Sequence, residues 1–187
     1  MRIENVSSQE GYSNNKTLTT TVTFRLDANT VKKLQTEAKE KDISLNTLVN
    51  QIMKRYLEWD RFEAKVGMVL VAKPVIAELF AKLTKDQVID LASQIGKTAV
   101  RDIALFMKGE LSVNSFLSWL EARMRNCSQF NYQQENGIKK YIFKHDLGEN
   151  WSLYHKTIAD LIFGESLNTE IHTEMSNTML IFTIHDL

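Results

Sequence analysis

The residues whose types and spacing are best suited to chemistry are Thr21, Thr23 and Arg25. They alternate with apolar residues in the run TVTFRL at positions 21–26, and this period of two predicts a strand with one buried face. An arginine can donate two N–H groups to guanine O6 and N7, and a threonine can hydrogen-bond a base edge or pack on a thymine methyl. The polar face is therefore suited to contact nucleobases. The alternative is an ordinary solvated edge strand, in which Thr supplies β propensity and Arg25 discourages aggregation.

Two short amphipathic helices must position this strand. Apolar residues recur with helical spacing at Val31, Leu34 and Ala38. A second set has the same period and comprises Leu45, Leu48, Val49, Ile52, Met53 and Tyr56. A lone strand has no partner for its backbone groups, and about forty residues bury too little apolar surface to fold alone. The segment therefore predicts a dimer in which two strands pair antiparallel over four helices.

The order strand, helix, helix from Thr20 to Leu57 resembles the ribbon-helix-helix DNA-binding family of the Met, Arc and CopG repressors. In the resemblance, Asp27 caps the first helix, and the turn at Ile43 leads to a second cap at Ser44. The remaining matches are core positions: Val22, Phe24 and Leu26 of the strand, Leu34 and Ala38 of the first helix, and Leu48, Val49 and Ile52 of the second.

The resemblance implies a site as well as a fold. Family members insert the two-stranded ribbon into the DNA major groove, which makes Thr21, Thr23 and Arg25 the base-reading residues. The start of the second helix grips the DNA backbone in that family, so the residues carried over as phosphate anchors are Ser44, Leu45 and Asn46. A helix start suits a phosphate because of its backbone N–H groups and positive dipole end. The family often has Gly in the turn where this chain has Asp42, which tolerates left-handed backbone.

The charge of the chain is uneven. Lys plus Arg and Asp plus Glu both total 23, so the formal net charge is zero. Residues 16–56 hold eight basic against four acidic residues, which is +4 per chain and +8 per dimer, and the remainder carries −4. This moderate local charge favours binding to a polyanion, with an affinity that depends strongly on salt.

Composition limits the alternatives. With 187 residues, 43% of them apolar, the chain can form one or two domains with a proper core. No apolar run approaches the roughly 20 residues of a membrane span, and residues 1–18 are polar, which predicts a disordered arm rather than a signal peptide. The single cysteine, Cys127, suits a reducing cytoplasm and is expected to be a small buried or incidental residue rather than a nucleophile.

Residues 62–187 are expected to form a second domain, following a ribbon-helix-helix domain at 19–61. Pro74 suits the start of a helix over 75–83, and Thr84 begins a capping box before a long helix that ends at Gly109. Ser112 is expected to cap a third helix, and Asn150 a fourth that runs through Leu161. Hairpins are predicted at 129–145 around Asn136-Gly137 and at 169–184 around Ser176-Asn177. The fold class is therefore α+β, with a small antiparallel sheet.

Histidines and aromatics are the residues of the second domain that could form a site. His145-Asp146 and His185-Asp186 each close a predicted strand, with His155 and His172 nearby in sequence. The spacings lack the further ligands of a metal site, so structural pairs are favoured over metal binding or catalysis. The aromatic cluster could line a ligand pocket, although a plain core is favoured; it comprises Phe130, Tyr132, Tyr141, Phe143, Trp151, Tyr154, Phe163 and Phe182.

Together these features predict a cytoplasmic, sequence-specific DNA-binding transcriptional regulator without catalytic, metal or cofactor sites. Its partners would be a pseudo-palindromic double-stranded operator and a second copy, with tetramers left open and no membrane. The second domain would support oligomerisation or sense a small-molecule effector. The alternatives are an antitoxin that autoregulates through the same motif, and an enzyme or ligand-binding protein that uses the motif only to dimerise.

Overall fold

The computed structural model describes residues 20–125 and 128–185. The predicted arm at 1–18, Cys127 and Asp186 lie outside the described residues. The fold is α+β, with helices and a four-stranded antiparallel sheet, which confirms that part of the expectation. The chain divides into two compact units, and the division falls between Leu48 and Val49.

The predicted strand at 21–26 is not present in this single chain. Residues 20–27 have no regular secondary structure, and every side chain in this segment is exposed. A strand is stable only when its backbone groups have a hydrogen-bonding partner, and no other strand of the described chain pairs with these residues. The ribbon-helix-helix arrangement therefore remains a prediction that requires a second copy.

Both predicted helices after this segment form. Helix α1 is Ala28–Glu40 and helix α2 is Leu45–Arg55. Ala38 of α1 and Leu48 of α2 are buried, as expected of core positions on amphipathic helices. The helical course continues beyond α2 as a π-helical turn, Tyr56–Asp60, and a short helix α3, Arg61–Glu63.

Thr84 and Ser112 cap the helices predicted for them, whereas the helix at Pro74 begins and ends two residues earlier than predicted. Helix α4 is Lys73–Ala81, with Pro74 in its first turn. Helix α5, Lys85–Ile95, begins with the predicted capping box, in which Thr84 and Gln87 bond reciprocally. A π-helical turn, Gly96–Val100, joins α5 to α6, Arg101–Lys108, which ends at Gly109 in left-handed backbone (φ 79°). Ser112 caps α7, Val113–Met124, as predicted.

Two hairpins form the sheet, in the order β1-β2-β4-β3. Strands β1, Ser128–Glu135, and β2, Ile138–His145, pair antiparallel through the predicted two-residue turn. Asn136 (φ 50°) and Gly137 (φ 74°) both have positive φ, as a type I′ turn requires. The second hairpin is shorter than predicted, with β3 at His172–Met175 and β4 at Met179–His185. Thr169 was expected to begin this hairpin but lies outside β3, and its N–H donates to the Phe163 carbonyl at 2.9 Å.

Helix α8, Glu149–Leu161, packs against α4, α5 and the second hairpin. The prediction that Asn150 caps this helix is wrong, because Gly148 (φ 85°) is the capping residue. The Asn150 amide instead donates to the Phe80 carbonyl at 2.9 Å and the Leu83 carbonyl at 2.8 Å. It thereby satisfies backbone groups at the end of α4, where helical partners run out.

Candidate nucleic-acid interface

The predicted base-reading residues are accessible in the structure. Thr21, Thr23 and Arg25 are all exposed, in the segment that leads directly into α1. The apolar residues that alternate with them are exposed too: Val22 to 63%, Phe24 to 61% and Leu26 to 51%. The single chain therefore gives the segment no buried face, although its sequence pattern requires one.

Asp27 fixes the end of this segment. Its backbone is extended (φ −67°, ψ 148°), and its carboxylate accepts a hydrogen bond from the Thr30 N–H at 2.9 Å. The hydrogen bonds from Thr30 hold the pKa of Asp27 below its usual value. Asp27 is therefore the predicted cap, and α1 begins where the alternating pattern ends.

The turn between α1 and α2 has the geometry expected of it. Asp42 has left-handed backbone (φ 52°), which is the conformation that a glycine would adopt most easily. Ser44 caps α2, because its Oγ accepts from the Thr47 N–H at 3.0 Å and lies 2.8 Å from Thr47 Oγ1. The three predicted phosphate anchors, Ser44, Leu45 and Asn46, are thus consecutive at the start of α2.

A shallow depression of about 430 Å³ lies beside this helix start. Lys39 lines it together with Asp42, Ser44 and Leu45. Lys39 lies beside the predicted phosphate anchors but is not one of the predicted site residues. Its positive charge is evident from the sequence, but only the reversal of the chain at Asp42 places it beside the start of α2.

The favoured pairing of His145 with its neighbour Asp146 is not what the structure shows, because each of the two side chains has a different partner. His145 is buried, with Nε2 2.8 Å from Ser152 Oγ and Nδ1 accepting from the Leu147 N–H at 3.2 Å. Its pKa is lowered by burial, the largest cause, and by the charge of Lys73. The carboxylate of Asp146 pairs with Lys73. Within 20–125 and 128–185, no group of three or more His, Cys, Asp or Glu residues is arranged to hold a metal.

The aromatic cluster divides between core and surface. Phe143, Phe163 and Phe182 are fully buried in the core of the second unit, which agrees with the favoured interpretation. Tyr132 is exposed on β1, and Trp151 lines a cavity in the same unit. The cluster is therefore mostly structural, with two members at concave surfaces, since Tyr141 lines a smaller cavity of about 190 Å³.

Comparison with protein-family models and with curated proteins finds no match to this chain. None of the helices in the described part of the chain has the length and apolar character needed to span a membrane.

Proposed function

We propose that two copies of this chain pair through residues 20–57 as a ribbon-helix-helix dimer and bind double-stranded DNA in a sequence-specific manner as a transcriptional regulator. The single observation that carries the proposal is the alternating segment at 21–26, which is exposed on both faces and leads into two correctly capped helices. A second copy would give this segment the partner strand and the buried face that its pattern requires.

Uncovered apolar side chains support the pairing. Val22, Phe24 and Leu26 are more than half exposed, although burying a side chain of this size contributes about 1.5–3 kcal/mol. A further group of exposed apolar residues follows along α2 and its extension: Ile52, Met53, Tyr56 and Leu57. Their helical spacing places them on one side of the helix. An antiparallel ribbon packed over paired α2 helices would cover both groups.

Pairing would also leave a uniform polar surface for DNA. With the apolar residues facing inward, Thr21, Thr23 and Arg25 of both copies lie on one outer face of the ribbon. The start of α2, with Ser44 and Lys39, supplies a capped helix end and a cation for the phosphate backbone. The two-fold symmetry of such a dimer favours a pseudo-palindromic site.

Arg25→Ala in the full-length chain tests this function directly. The parent protein is first used to select bound duplexes from a random library, and the enriched sequence then serves in anisotropy titrations. Because an arginine fork contributes about 1–3 kcal/mol of base discrimination, we expect the variant to lose most of its preference for the enriched sequence. Lys82→Ala is the control, since it removes one exposed positive charge from the second unit.

Two outcomes would contradict the proposal. One is a parent protein that enriches no sequence at low salt, and the other is an Arg25→Ala variant with undiminished preference. The first would favour a ligand-binding protein that uses residues 20–57 only to pair, a second candidate that is supported by the cavity beside Trp151.

A further inference from the structure

A cavity of about 370 Å³ lies within the second unit, open on one side. Trp59 and Trp151 form part of its wall, together with Ile76 of α4 and Leu70 of the preceding loop. Its volume is within the range of about 300–1,000 Å³ that is typical of small-molecule sites. Flat indole rings and branched side chains favour an apolar ligand body.

Arg123 of α7 provides the cavity with a positive charge that pairs with no carboxylate in the described part of the chain. The side chain is half-buried, and its guanidinium carbon lies 5.4 Å from the centre of the Trp119 ring. Among the residues that the structure describes, no carboxylate forms an ion pair with it. Its charge contributes to lowering the pKa of the buried His155. A partly desolvated cation is costly when it is unpaired, so an anionic ligand would be favourable here.

The other charged residues of the cavity narrow the choice of anion. Lys73 is paired with Asp146, whereas Arg123 has no ion-pair partner among the residues that the structure describes, so Arg123 is the cation better placed for a ligand. The Glu63 carboxylate also lines the cavity and accepts a hydrogen bond from Trp59 Nε1 at 2.7 Å. A carboxylate at the wall disfavours a dianion such as a phosphate monoester, because like charges repel. A single negative charge at the Arg123 fork is repelled less by Glu63 than two would be.

The loop beside the cavity carries apolar side chains with little cover. Val69 is 82% exposed and Leu70 is 94% exposed, and both line the cavity. Large apolar side chains this exposed lose the stabilisation that burial provides. A ligand with an apolar body would cover part of their surface as well as the two indole rings.

We propose that this cavity is a binding site for a small monocarboxylate with an aromatic or branched apolar body, held by a bidentate contact from Arg123. The guanidinium fork matches the geometry of a carboxylate, and the apolar body lies between the tryptophans and the loop. The site lies in the second unit, so its ligand can be tested without DNA.

Calorimetry on the full-length protein tests the proposal with phenylacetate, indole-3-acetate and 3-methylbutanoate. Each acid is compared with its amide, which has nearly the same shape but no charge. Phenyl phosphate tests for the dianion. We expect at least one acid to bind at millimolar concentration, with its amide and phenyl phosphate at least about tenfold weaker, since charged hydrogen bonds contribute about 1.5–3 kcal/mol. Failure of all three acids, or an amide or phosphate that binds as well as its acid, would overturn the proposal.

Variants of Arg123 locate the ligand. Arg123→Gln should weaken binding of the best acid about 10- to 150-fold, and Arg123→Lys should weaken it less, because the charge remains but the fork is lost. Arg125→Gln is the matched control and should bind normally, since Arg125 is close in sequence but pairs with Glu121. Unchanged binding by Arg123→Gln would overturn the assignment. If that variant does not fold, unchanged binding by Arg123→Lys would do so.

Discussion

The pKa of His155 is set by the residues that surround its ring. Its ring is buried in α8, 4.3 Å from the Trp151 ring, and Nδ1 lies 3.0 Å from the Trp151 carbonyl oxygen. Burial, and secondarily the charge of Arg123, lowers the pKa of His155 to about 3. The folded protein therefore holds this imidazole neutral through most of the acidic range.

This pKa predicts a loss of stability in acid. The unfolded chain binds a proton at His155 below the ordinary pKa of 6.5, whereas the folded chain does so only near 3. The contribution of neutral His155 to the free energy of unfolding is therefore complete above pH 6.5. It is lost as the pH falls towards 3, at about 1.4 kcal/mol per pH unit.

His155→Phe keeps an aromatic ring at this site but cannot titrate, so its free energy of unfolding should fall less steeply between pH 6.5 and 4. Urea unfolding across this range measures the two slopes. His145, whose pKa is also lowered by burial, will leave a residual slope in the variant. Equal slopes for parent and variant would show that His155 does not supply the acid sensitivity.

At the scale of the element, the turn between α1 and α2 requires a residue that tolerates left-handed backbone, and the residue there, Asp42, also carries a negative charge. Asp42 adopts φ 52°, which asparagine also tolerates well. Asp42 lines the depression together with Lys39 and Ser44, so its negative charge would repel a phosphate bound there.

Asp42→Asn should therefore strengthen binding to a random-sequence duplex a few-fold at low salt without loss of stability. The gain should shrink at high salt, because screening weakens the repulsion being removed. Glu40→Gln is the matched control: it removes the same charge from an exposed position of α1 that does not line the depression. Equal gains from both variants, in anisotropy titrations, would mean that only net charge matters.

The elements that the sequence predicted correctly are those with local signals. The reciprocal capping bonds of Thr84 and Gln87, and the Asn136-Gly137 turn, need only residues a few positions apart. The role of Asn150 was missed because its partners, Phe80 and Leu83, lie about seventy residues earlier in the chain. No sequence pattern specifies a contact between such distant residues.

The same reasoning applies to the two sites. The start of α2 was predictable because Ser44 and Asp42 act within one turn of chain. The cavity was not, since α7 brings Arg123 to a wall that also includes Trp59 from another part of the sequence. The predicted strand at 21–26 depends neither on local contacts nor on distant contacts within one chain, because its partner would be a second molecule.

At the scale of the whole molecule, the proposed DNA binding depends on the pairing of two chains. The net charge of zero conceals +4 in residues 16–56, and pairing would concentrate +8 on one DNA-binding unit. The exposed apolar residues of the first unit, Val22, Phe24 and Leu26, identify where we expect the copies to meet. A charged substitution should therefore prevent dimerisation at an apolar position of this segment and leave dimerisation intact at the adjacent polar position.

Sedimentation equilibrium of the full-length parent, Phe24→Glu and Thr23→Glu tests this claim most directly. Phe24 and Thr23 are neighbours and are both exposed in the single chain, but the ribbon would bury the first and leave the second outside. We expect the parent and Thr23→Glu to sediment with twice the 21.6 kDa mass of one chain, and Phe24→Glu with that mass alone. A parent that sediments as a single chain, or variants that behave alike, would contradict the account.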